Sequence, residues 1–143
     1  MSQKKGQYFT QQNTKVEQLE RGMHRWFSRP DITGSDDLIV TEVEVEPGGG
    51  HPFHLHPDMD EVIYILSGEA EQWIEKESRT LGPGEAIYVP KEMIHATYNV
   101  GEEPLRFLAI LSPAADLEGS MVYVSDREPW RSIKPEDADA GLS

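Results

Sequence analysis

His54, His56, Glu61 and His95 are the residues whose types and spacing could do chemistry. Three imidazoles and a carboxylate can surround one divalent metal ion. Positions two apart on a β-strand share a face, so His54-Leu55-His56 can grip an ion from one side. If that face looks into a barrel, the ion sits in a shielded cavity. The chain has no cysteine, which excludes thiolate ligands, disulfides and a cysteine nucleophile. His, carboxylate and water remain as donors, a set that suits Fe, Mn, Ni, Zn or Cu.

Short strands must position these groups. The 143 residues fit one domain. In Leu38 to Glu46, Val43 and Val45 face one way and Glu42, Glu44 and Glu46 the other, the period of a half-buried strand. Further β-like runs are Met23 to Phe27, Glu61 to Leu66, Glu69 to Glu75, Ala86 to Val89, Ile94 to Val100, Leu105 to Leu111 and Met121 to Val124. Ser67-Gly68 reads as a hairpin turn, and Leu81 to Gly84 as another turn. Near the N-terminus, Thr14 to Glu17 reads as a capping box. It would open a short helical turn with Val16 and Leu19 on one face, ended by Gly22. The spacing predicts an all-β sandwich or barrel over 23–124. A polar N-terminal arm precedes it over 1–22 and a C-terminal arm follows over 125–143. That last arm lacks periodicity and reads as a surface or partly disordered segment, with Trp130 as an anchor on the body or on a neighbouring subunit.

Charge and hydropathy narrow the partners. Acidic residues number 26 and basic residues 13, a net charge of −13. Nucleic acid needs clustered Lys and Arg and is not an expected partner. The polar N-terminus has no secretory pattern, and apolar runs such as 107–111 fall far short of the ~20 residues of a membrane span. A soluble, cytoplasmic protein is expected, with a small molecule as ligand and no membrane partner.

The stretch GGGHPFHLHPDMDEVIYILSG, residues 48–68, resembles the first cupin motif, with Gly48, His54, His56, Glu61 and Gly68 at its fixed places. The stretch GEAIYVPKEMIHATYN, residues 84–99, resembles the second, through Gly84, Pro90, His95 and Asn99. Glu92 stands where the family usually has glycine, a turn position and not a ligand. The resemblance implies a double-stranded β-helix, a jelly-roll barrel, with a short hairpin over 69–83. It also implies one divalent metal ion on His54, His56, Glu61 and His95. Asp58 and Asp60 compete with Glu61 for the carboxylate role. Glu61 is preferred because it begins a strand and lies seven before Gly68.

Parity then suggests what else lines the cavity. With Glu61 inward, Ile63 and Ile65 are inward, and Val62, Tyr64 and Leu66 point away. If the turn at Ser67-Gly68 preserves facing, Ala70, Gln72 and Ile74 are inward too, and Gln72 could orient a substrate or sit in solvent one residue out of register. His51 follows glycines and precedes proline, and is expected as an exposed residue or a residue of the mouth. His24 is expected as a strand or surface histidine, Arg25 and Arg106 as surface residues, and Asn99 as the holder of a turn.

The function expected is a metal-dependent enzyme on a small oxygen-rich molecule such as a carboxylate or enol, with a dioxygenase-like oxidoreductase favoured. A decarboxylase, isomerase or lyase, or a non-catalytic binding or sensor module, is the alternative. Such cupins often pair, so the outward Val62, Tyr64 and Leu66 face makes a homodimer the expected assembly.

Overall fold

The computed structural model describes residues 5–115, 119 and 121–140. Two antiparallel sheets face each other. The first joins β1 (Lys15–Leu19), β2 (Gly22–Ser28), β3 (Ile39–Val45), β10 (Leu105–Ser112), β5 (Asp60–Ser67) and β8 (Ala86–Val89), in that spatial order. The second joins β11 (Val122–Tyr123), β4 (Gly50–Leu55), β9 (His95–Tyr98), β6 (Ala70–Ile74) and β7 (Glu77–Leu81). The chain crosses between the sheets repeatedly, as at 46–49, 68–69, 82–85, 90–94 and 99–104, which winds it into a jelly-roll barrel. Two single-turn helices, α1 (Pro30–Thr33) and α2 (Trp130–Ile133), lie outside the sheets. No helix among the described residues is long and apolar enough to cross a membrane.

Cross-strand register sorts the residues into inner and outer rows, because partners on neighbouring strands share a face. On the first sheet, His24, Val43, Phe107 and Ile65 form one inner row, and Trp26, Thr41, Ala109, Ile63 and Ile87 the next. Ile39, Leu111, Glu61 and Val89 form a third, at the end where the ligands cluster. Val40, Ile110, Val62 and Tyr88 make an outer row, with Tyr64 40% exposed beside it. Arg25 and Arg106 are on this outer face and both reach Glu42, at 4.0 and 2.9 Å.

Two expectations are corrected. Thr14 to Glu17 opens no helical turn: Lys15–Leu19 is strand β1, which pairs with β2 across Glu20-Arg21. A capping box is a local signal, and pairing along five residues of β2 outweighs it. Ser67-Gly68 is not a hairpin, since β5 pairs with β10 and β8 while β6 pairs with β7 and β9 in the other sheet. Gly68, at φ +79°, bends the chain across where Pro104-Leu105 leaves no room for a Cβ. The hairpin within 69–83 is instead β6–β7, turning at Glu75-Lys76.

The C-terminal arm, expected as a surface or partly disordered segment, is folded on the surface over its described part. Helix α2 and a single 3-10 turn, Pro135–Asp137, cover the outer face of the second sheet. Trp130 and Ile133 pack there with Phe53, Tyr98, Ala96, Trp73 and Val124. The Trp130 indole N–H donates to Glu75 O at 2.9 Å, Tyr98 Oη donates to Asp137 at 2.8 Å, and Lys134 pairs with Glu71 at 2.9 Å. Trp130 therefore anchors the arm on the body. Residues 141–143 lie outside the described part.

Candidate metal centre

The strands that hold the four candidate donors converge at one end of the barrel. His54 lies on β4, directly opposite His95 on β9. His56 follows β4 at once, and its carbonyl accepts the Glu92 N–H at 2.8 Å, tying the two motif segments together. Glu61, near the start of β5, reaches across from the first sheet. All four are buried, and one donor atom from each lies within 4.8 Å of the others. Asp60 faces out, is exposed, and accepts the Lys91 N–H at 3.0 Å, so it clamps the rim loop and leaves the interior to Glu61.

The orientation of the rings suits a cation. His54 Nδ1 donates to Pro52 O at 2.6 Å, and His95 Nδ1 donates to Met93 O at 3.0 Å. These carbonyls hold each Nδ1–H and leave each Nε2 lone pair for the interior. His95 Nε2 and His56 Nε2 stand 3.0 and 3.4 Å from Glu61 Oε1, and His56 Nδ1 is a buried nitrogen without a hydrogen-bond partner among the described residues. Burial pulls the His54 imidazole well below its usual pKa, and His95 and His56 add to this, so it is neutral near pH 7. Burial would raise the Glu61 carboxyl, but the His56 and His95 rings beside it hold it below the usual carboxylate range. Three imidazoles packed around a buried carboxylate bring together nitrogen and oxygen donors that a divalent cation would satisfy together. The residues present thus fit such an ion.

The rest of the interior departs from expectation at the histidines. Ile63, Ile65 and Gln72 are buried and face inward, as parity predicts. Gln72 is held by Thr97, whose hydroxyl donates to Oε1 at 2.7 Å. His51, expected as an exposed residue or a residue of the mouth, is half-buried and faces inward in the row of Thr97 and Gln72. A register shift between His51 and His54 lets both face inward although they are an odd number of residues apart, while Phe53 turns to the outer cluster. His24 also faces in and stacks between Trp26 (centroids 5.3 Å) and His51 (5.5 Å), with Phe107 edge-on to His51 at 5.9 Å. His51 further borders a cleft of about 420 Å³ away from the ligand cluster, beside Arg21, Gly22 and Glu44. Asn99 holds its turn as expected, donating to Val45 O and Glu103 O.

Burial pushes His51 down to about 4 from 6.5, and the neighbouring His24 adds to this. In the unfolded chain it returns to 6.5, so the unfolded state binds more protons between these values. The stability is therefore full above pH 6.5 and falls as pH drops toward 4. A loss of roughly 1–3 kcal/mol is expected from this residue. Melting of EDTA-treated protein from pH 7 to 4.5 checks it, and His51→Gln should flatten the slope.

Comparison with known proteins bears on this geometry. The Cupin domain family model matches residues 41–111, a span that includes all four donors. The polyketide cyclase RemF of Streptomyces resistomycificus superposes with a TM-score of 0.74 over 94% of this chain and 96% of its own, at 24% identity. This protein is a cupin. Among curated relatives, germin-like protein 3-8 of Oryza sativa is 33% identical over 99 residues, 64% of this cupin and 44% of the rice protein. Oxalate decarboxylase OxdC of Bacillus subtilis is 40% identical over 81 residues, 53% of this chain and 21% of its own. A structure of that decarboxylase, described for its Mn(II) centres, superposes with a TM-score of 0.65 at 26% identity, over 85% of this chain and 34% of the decarboxylase. The cupin spans about half or less of the length of the curated relatives it matches.

One residue beside the donors escaped sequence reading. Tyr123 on β11 pairs with His54, and their rings lie 6.1 Å apart. Nothing local in the run 121–124 marks it, because its partner is set by the fold.

Proposed function

We propose that this cupin is a metal-dependent enzyme acting on a small oxygen-rich molecule, a carboxylate, enol or catechol. The observation that carries the reading is the convergence of His54, His56, Glu61 and His95 in a buried space at one end of the barrel. A bound divalent ion, of Fe, Mn, Ni, Zn or Cu, would supply Lewis acidity toward a coordinated oxygen, and electrons to O₂ if it is redox-active. The protein's own residues do the rest. The Pro52 and Met93 carbonyls aim two imidazoles. One carboxylate against a divalent charge leaves a net positive site that attracts an anion. Ile63, Leu111 and Val89, in or beside the row of Glu61, exclude water from it. Gln72 and Thr97, one row further in, offer polar contacts to the inner end of a bound molecule.

Three imidazoles with one carboxylate extend the two-histidine, one-carboxylate arrangement of oxygen-using iron enzymes, which supports a dioxygenase-like reaction. The 40% identity to an oxalate decarboxylase favours a second reading, decarboxylation or a related lyase step. Iron- or manganese-loaded protein, assayed against small acids and diketones in an oxygen electrode, separates the two. Oxygen uptake matched to product supports the first. Equal turnover under argon moves the reaction to the second. Tight binding without turnover of any compound leaves a sensor or binding role instead.

The outer row Val40, Ile110, Val62 and Tyr88, with Tyr64, supports pairing of two copies through this face. Light scattering at tens of micromolar should give twice the chain mass, and Val62→Lys should return it to one; a wild-type monomer ends this part of the reading.

A further inference from the structure

We propose that the C-terminal segment 124–137 is a positioning element of the four-donor site: through Phe53 it holds β4 in the register that turns His54 inward. The inference rests on the metal-dependent reading above and names what sets the affinity of that site.

The strand β4 breaks its ladder just before the donor. Its pairing with β9 shifts register between His51 and His54, and Pro52, inside the shift, has no N–H to give. The carbonyls of Pro52 and Phe53 have partners elsewhere. Pro52 O accepts the His54 Nδ1–H at 2.6 Å. Phe53 O accepts the Val124 N–H at 3.0 Å and the Ser125 hydroxyl at 3.3 Å. Val124 and Ser125 are fully buried, so water does not compete for this clamp.

The Phe53 side chain is held as well. It is fully buried on the outer face, with the rings of Trp73, Tyr98 and Trp130 at 5.6, 6.1 and 6.3 Å. Trp73 and Tyr98 belong to the sheet, whereas Trp130 is brought by the arm. The arm is fastened independently of Phe53. Trp130 donates to Glu75 O, Asp137 accepts from Tyr98 Oη, and the Lys134 ammonium pairs with Glu71 and lies 4.4 Å from the centre of the Tyr98 ring. Adjacent residues of a strand face opposite ways, so Phe53 outward means His54 inward. A slip of one residue would reverse both, placing a phenyl ring among the donors and an imidazole in the apolar cluster. Segment 124–137 opposes that slip at the side chain and at the carbonyl of one residue. His54 is the donor this governs, being next to Phe53 in the chain. His95 is secured by strands on both sides of β9, and Glu61 belongs to the other sheet.

The test loads the full chain with cobalt(II), whose visible bands report the number and arrangement of its donors. Affinity is measured against a competing chelator, at a temperature where every variant is folded. Trp130→Ala should bind cobalt about tenfold or more weakly, the scale of losing a group that orients a ligand, with a changed visible band. Ser125→Ala should move both readouts the same way by less. Trp130→Phe keeps a ring on Phe53 and should bind close to wild type. Val45→Ala is the control: Val45 is buried in the first sheet, in register with Gly22 and Leu105 at the end away from the donors. It should lower the melting temperature and leave affinity and band unchanged. Wild-type affinity and band in both Trp130→Ala and Ser125→Ala overturn the inference. Equal weakening in Val45→Ala and Trp130→Ala also overturns it, because the effect is then stability alone. If Trp130→Ala does not fold, Ser125→Ala decides by the same two readouts. A wild type that takes up no cobalt overturns the metal-dependent reading itself, and this inference with it.

Discussion

Replacing His54 or His95 by alanine is expected to lower bound metal from about one equivalent per chain to a small fraction. Each variant removes one of four donors that meet within 4.8 Å, and the space left is buried, so no exposed side chain can substitute. The loss should also be visible in stability. An ion that binds only the folded state adds about 4 kcal/mol when present at 1,000 times its dissociation constant. For a domain of this size that is roughly 10 °C or more in Tm. Wild type should gain this on metal addition and lose it in EDTA, and the alanine variants should show little difference between the two. The carboxylate is tested by a pair. Glu61→Gln keeps the shape but removes the charge, and should weaken metal binding. Asp60→Asn should change little, because an amide oxygen can still accept the Lys91 N–H. Equal metal in wild type and both histidine variants would sink the assignment. The reverse outcome for the acidic pair would move the carboxylate to Asp60.

The second large effect is at a crossing between sheets. Gly68→Ala is expected to destabilise the fold by about 3 kcal/mol, or roughly 10 °C. An alanine at φ +79° carries a left-handed penalty of about 1–2 kcal/mol. Its Cβ would also stand 2.5 Å from Pro104 O and 3.0 Å from Leu105 Cα, and a backbone contact has no flexible end to yield. Displacing it adds roughly 1–3 kcal/mol. Glu92 is the opposite case. It holds φ +73° on an exposed turn where the family usually has glycine. Glu92→Gly would relieve the left-handed penalty and give back part through the greater freedom of the unfolded chain, a net gain of about 0.5–1 kcal/mol. The Glu92 N–H bond to His56 O does not need the side chain. Chemical denaturation of the two variants beside wild type checks both signs. A stable Gly68→Ala would mean that the crossing at 68–69 tolerates a side chain there.

The four candidate donors, the strands that carry Glu61 and His95, and the barrel class were legible in the chain itself, whereas β4, which carries His54 and ends before His56, was not among the runs read as strands. His-x-His, a strand-initial glutamate and a later histidine occur at spacings that two motifs share. A period-two pattern marks β3, and β-branched, aromatic and other apolar runs mark β5 and β10. Asn99 could be read as a turn-holder because part of its role is local: its amide donates to Glu103 O and its Oδ1 accepts the Gly101 N–H.

Other features needed partners far along the chain. Lys15–Leu19 is a strand only because β2 is beside it, and β6 belongs to the second sheet only because β9 and β7 are there to receive it. His51 faces the interior through a register shift against β9 that no spacing within 48–56 reveals. Trp130 has a place to dock only once Phe53, Trp73 and Tyr98 form the outer cluster, and Tyr123 stands beside His54 only through the pairing of β11 with β4. Motif residues and strand period are properties of neighbouring positions, which a chain carries in order. Sheet membership, facing after a bulge, and the walls of the cavity arise from pairings between distant segments, and these exist only in the folded molecule.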